Sequence, residues 1–190
     1  MAFITPFEIF DIIVMSFAIG FIFSGRLPIP KDDEYDPILE YKEKINWREI
    51  LLSAGIVAPG IILHEISHKI VALSFGLGAE FHASYLFLIL GVLMKLVNFG
   101  LIFFVPAYVS ITGVAANWQF ALIAIAGPLT NLLLWVTISI LLKFKLVKKK
   151  HIPMFMIGKK VNLFLFIFNV IPIPGFDGFQ ALMAVVRMFS

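Results

Sequence analysis

His64, Glu65 and His68 stand within five positions of one another in "PGIILHEISHKIVALSFG", Pro59 to Gly76. On a helix, residues four apart lie about 40° apart on one face, so His64 and His68 can share a single ion. Glu65 can reach a water on that ion. This is the HExxH zinc arrangement: two neutral imidazoles as ligands, and a carboxylate that takes a proton from bound water and returns it to a leaving amine. The bland alternative is a set of buried polar groups hydrogen-bonded between helices. Three ionisable residues in the metal-binding register of an apolar run favour metal, because such groups are expensive inside lipid.

A catalytic zinc site normally needs a third protein ligand. Cysteine is absent, which excludes thiolates and leaves His, Asp and Glu. Glu80 and His82 follow the motif in an expected loop, and His151 follows a lysine run and reads as solvated. Asp177, in "NVIPIPGFDGFQ", is the strongest candidate. Its surroundings are uncharged, and Pro172, Pro174, Gly175 and Gly178 break the helix and allow close approach. It also suits capping of a final helix from Gly178. Lys69 is expected to snorkel towards the nearer interface.

The elements that must position these residues are apolar. Of 190 residues 61% are hydrophobic and 14% charged, too little polar surface for a soluble fold, so lipid is the expected solvent. The expected fold class is an all-α polytopic membrane protein with about five apolar helices and a short membrane-associated β segment, one integral membrane unit over 1–190. The apolar stretches are Pro6 to Phe23, Glu49 to Phe75, Ser84 to Phe104, Trp118 to Leu142 and Lys160 to Ile171, the last followed by an apolar tail from Phe176 to Phe189. No cleavable signal peptide is expected, since the first stretch carries Glu8 and Asp11 instead of a basic start.

Gly25 to Arg48 reads as a polar extramembrane loop with a short interfacial helix around Pro37 to Ile45. Lys95 and Asn98 interrupt the third stretch, where a central charge costs about 2.5 to 3.5 kcal/mol, so this stretch either spans or is re-entrant. "FFVPAYVSITG", 103–113, is β-branched and aromatic and reads as a strand. At membrane depth a strand survives only where protein or a water-filled cavity satisfies its backbone.

Lys143 to Lys160 holds seven lysines and no acid, a basic loop that the positive-inside rule puts in the cytoplasm. If the third stretch spans, the HExxH helix runs from outside to inside. The net charge of +3 comes largely from this cluster, which suits helix orientation or anionic lipid, not nucleic acid.

"HEISH", "AGPLTN" (Ala126 to Asn131) and "FNVIPIPGFDG" (Phe168 to Gly178) together resemble the site-2 protease family of intramembrane zinc metalloproteases, from about Ile50 onward. The resemblance implies one zinc per chain held by His64, His68 and Asp177, with Glu65 as general base. It implies that Asn169 holds the substrate backbone, and that Gly127 and Asn131 match the family's GxxxN motif. Gly127 would admit close helix approach, and Asn131 would bond across helices or to substrate. The implied substrates are transmembrane proteins, in a multi-pass protein of the cell membrane with its zinc nearer the cytoplasm.

This chain departs from the family in having Phe179 after Asp177-Gly178 where a second glycine is usual. The stretch between "HEISH" and "AGPLTN" is also longer than the minimal core, and no PDZ or cystathionine-synthase-type domain is expected. Two other readings compete: an inactive relative that binds membrane helices, and a small metal or proton transporter.

Overall fold

The computed structural model describes residues 3–28, 46–99 and 105–189. The expected interfacial helix at 37–45 lies outside them, as do the middle of the polar loop and residues 100–104.

Helix α1 (Pro6–Phe23) starts at a capping box: Thr5 Oγ1 accepts from the Glu8 N–H at 3.3 Å, and the Glu8 carboxylate accepts from the Thr5 N–H at 2.8 Å. Pro6 suits the first turn, which has no use for its N–H. Helix α2 (Trp47–Ser74) is capped by Asn46 and ends at Gly76, whose φ of 76° favours a residue without a side chain. Strand β1 (Gly78–Ala83), helix α3 (Tyr85–Leu96) and strand β2 (Ala107–Thr112) follow. Helix α4 (Asn117–Lys143), a 3₁₀ turn (Lys149–His151), helix α5 (Ile152–Val170) and helix α6 (Asp177–Val186) complete the chain.

Helix α2 is the hub, touching α1, α4, α5 and both strands. Among the described residues four segments are long and apolar enough to cross a membrane: α1, α2, α4 and Lys149–Val170. The bundle inverts a soluble protein. Glu8, His64, Glu65, His68, Lys69, Asn131 and Asn162 are buried, whereas Phe7, Leu86 and Leu133 face outward. That distribution fits a helical, multi-pass membrane protein.

The third apolar stretch does not form a spanning helix. Its helix, α3, has twelve residues, about 18 Å at 1.5 Å each, against a hydrocarbon core of about 30 Å. It lies along α1 and its connections meet where they began: the Ser84 N–H donates to Pro106 O at 2.9 Å. Lys95 and Asn98 stop the helix. The Lys95 ammonium donates to Phe21 O and to Ser24 O and Oγ, capping the C-terminal carbonyls of α1, and Asn98 takes the left-handed φ of 51°.

Two other expectations change. Glu80 and His82 sit in β1 instead of a loop, because Ala79, Phe81 and Ala83 alternate inward over six residues, a pattern too short to stand out. The basic loop ends early, since α5 begins at Ile152 with Pro153 in its first turn, and Lys159 and Lys160 are helical.

The strands pair antiparallel, with Phe81 opposite Val109 and Ala83 opposite Ala107. On the outer edge of β1, Glu8 accepts from the Phe81 N–H at 2.7 Å and Asp11 from the Ala83 N–H at 3.0 Å. Alternation then turns the N–H and C=O groups of Ala107, Val109 and Ile111 to the outer edge of β2.

Candidate metal centre

Helix α2 carries His64 and His68 one turn apart, and their rings meet edge to face with Nε2 atoms 3.1 Å apart. Asp177 arrives from 113 residues away as the first residue of α6. The chain reaches it through the break after Val170, where Gly175 takes a φ of 100°. Gly178 lets the start of α6 rest on the backbone of Val170, since a Cβ there would strike Val170 O. Phe176, not Asp177, occupies the cap position of α6. The Asp177 carboxylate turns to the imidazoles, with Oδ2 2.9 Å from His64 Nε2 and 3.3 Å from His68 Nε2.

The outer hydrogen bonds decide which imidazole nitrogens carry protons. His68 Nδ1 lies 2.7 Å from Ile123 O, a carbonyl that can only accept. His64 Nδ1 lies 2.6 Å from Asn131 Oδ1, also an acceptor. Both rings therefore carry hydrogen on Nδ1, and the neutral form of each has its lone pair at Nε2. Two such lone pairs and a carboxylate oxygen converge within about 3 Å of one another. In that form the three atoms can share one cation, and a two-nitrogen, one-oxygen set suits zinc.

Gly127 of α4 completes the cradle. A Cβ there would lie 2.6 Å from His64 Nε2 and closer still to His68 Nε2. The glycine thus makes room for the ligand nitrogens themselves, and not only for helix packing.

Glu65 lines the same cavity of about 750 Å³ as the three ligand candidates, together with Asn169 and the β2 residues Ala107 and Val109. Asn169 donates from Nδ2 to Leu165 O at 3.0 Å. Asn131 is fully buried and bonded to His64, to Gly60 O at 3.1 Å and to Asn162 at 3.0 Å, so its amide is turned to the protein and away from the cavity.

Other sequence candidates lie elsewhere. His82 faces Ser110 at 3.0 Å and Asp11 at 3.9 Å, Glu80 is beside it on the sheet, and His151 is at the other end of the bundle. Lys69 does not snorkel: it is buried and pairs with Glu8. The sequence reading missed Asn162 and this ion pair. An acid in one apolar helix and a lysine in another were the available signal of the pair.

A protein of Methanocaldococcus jannaschii named "Putative zinc metalloprotease MJ0611" is 36% identical over 179 residues, covering 92% of this chain and 83% of that one. The chain belongs to this zinc metalloprotease family. No family model matches it, nor does any solved structure. Membership in the zinc metalloprotease family supplies the cation that the converging donors call for.

Proposed function

We propose that this chain is an intramembrane zinc endopeptidase of the site-2 type, cutting peptide bonds in or near transmembrane segments of membrane-protein substrates. The observation that carries the reading is the convergence of His64, His68 and Asp177 beside Glu65 in one cavity among apolar helices long enough to span a membrane. His64, His68 and Asp177 would hold the ion. Zinc when bound supplies a water acidic enough to ionise near neutral pH and a Lewis acid for the scissile carbonyl.

The chain's own groups do the rest. Glu65 takes the water's proton on its carboxylate and delivers it to the leaving amine nitrogen. A substrate helix hides its carbonyls in its own hydrogen bonds, so it must unwind before it is cut. The outer edge of β2 borders the cavity and offers the unwound segment N–H and C=O partners. Asn169, which also lines the cavity, holds the substrate backbone.

The test is cleavage of a reconstituted transmembrane substrate by wild type and by Glu65→Gln. A loss of about 10²- to 10⁴-fold in turnover with zinc retained is expected. Unchanged cleavage would remove Glu65 from the role of base. Binding of substrate helices by wild type without turnover would favour the inactive relative.

A further inference from the structure

Asn162, on α5, is 4% exposed and lies two residues out from the ligand nitrogen of His64. Its Nδ2 donates to Gly158 O at 2.9 Å, one turn back on its own helix. That bond turns its Oδ1 to Asn131, from whose Nδ2 it accepts at 3.0 Å. The same Nδ2 gives its second hydrogen to Gly60 O at 3.1 Å. With both amide hydrogens engaged, only an oxygen is left to face His64 Nδ1. The relay runs from α5 through α4 to α2, and the fit is close: a Cβ on Gly60 would lie 2.9 Å from Asn162 Oδ1.

We propose that Asn162 is a positioning residue that fixes the Asn131 amide and thereby holds His64 in the tautomer whose Nε2 accepts a metal. The proposal rests on the metal reading of His64. Asn162 touches neither the cavity nor the ligand atoms, so the hydrogen-bonded route to His64 runs through Asn131, beside its packing on Gly60. Leucine has nearly the shape of asparagine but no acceptor. Asn162→Leu keeps the packing and leaves an Asn131 hydrogen without its partner, while Asn162→Asp keeps the acceptor.

Two readouts test this on the full chain in detergent. The first is zinc affinity by competition with a chelating indicator; the second is the ¹⁵N signature of the imidazole tautomers in zinc-free protein. N162L is expected to fold, to show His64 as a mixture of tautomers and to bind zinc about tenfold more weakly, the low end of the range for partners that orient metal ligands. N162D is expected to keep the wild-type pattern in both. If N162L folds poorly, Gly60→Ala, which intrudes on Asn162 Oδ1, carries the same expectation as N162L.

Wild-type affinity and tautomers in N162L, or loss of both in N162D, would overturn the proposal. A wild type that binds no zinc, or binds it equally well as His64→Ala, would instead overturn the metal reading and this inference with it.

Discussion

Gly127 tests whether the imidazoles are held for a metal. A methyl group at this position has no room except the space of the two Nε2 atoms, although alanine favours a helix over glycine by about 1 kcal/mol. Gly127→Ala is therefore expected to fold yet to lose zinc to the level of His64→Ala, as measured by elemental analysis. A second expectation concerns Glu8 and Lys69. Removing one member of a buried pair strands a charge at a cost of about 3 to 5 kcal/mol, whereas replacing both can be close to neutral. Thermal unfolding in detergent should show Lys69→Met strongly destabilised and Glu8→Gln with Lys69→Met partly restored, since glutamine can accept from only one of the Thr5 and Phe81 N–H groups. At this scale the ligands on α2 were legible because their spacing lies within one turn. Asn162, which binds His64's partner Asn131, and Glu8, the partner of Lys69, were not, since both come from other helices and carry no spacing signal.

Among the described residues, the two-stranded sheet has side chains bonded along the outer edge of β1 and none along that of β2. Glu8 and Asp11 occupy the N–H groups of β1 that an added strand would need, so the proposed docking of an extended peptide falls to β2, which borders the cavity. Proline is tolerated in a strand where its missing N–H points away from the partner. Val109→Pro should keep zinc and raise KM for a transmembrane substrate about tenfold or more, with a smaller effect on kcat. An unchanged KM would dissociate β2 from substrate binding. The sequence disclosed β2 through its β-branched and aromatic run, but β1 had only six residues, the first of them a glycine. The interruption at Lys95 and Asn98 was visible, and its meaning was a helix stop: the ammonium found the carbonyl end of α1, a partner that no local pattern reveals.

For the whole molecule, the apolar composition announced a membrane bundle, while the direction of each helix depended on α3. Because the chain leaves the sheet at Ser84 and returns at Pro106, α2 and α4 run antiparallel, and the lysines at 143–150 lie at the end away from the histidines. The positive-inside rule then puts that lysine end in the cytoplasm. Since the natural chain has no cysteine, a single cysteine at Lys149 should react with an impermeant reagent from the cytoplasmic side only. Reaction from the other side would turn the metal end towards the cytoplasm, the orientation that the site-2 resemblance implies.

If residues 113 positions apart close one zinc site, the zinc content of the protein reports it. Purified wild type should carry close to one zinc per chain, Glu65→Gln should keep it, and both His64→Ala and Asp177→Ala should lose most of it while remaining folded. Zinc retained in Asp177→Ala, or absent from a folded wild type after reconstitution, would rule out a site closed by Asp177.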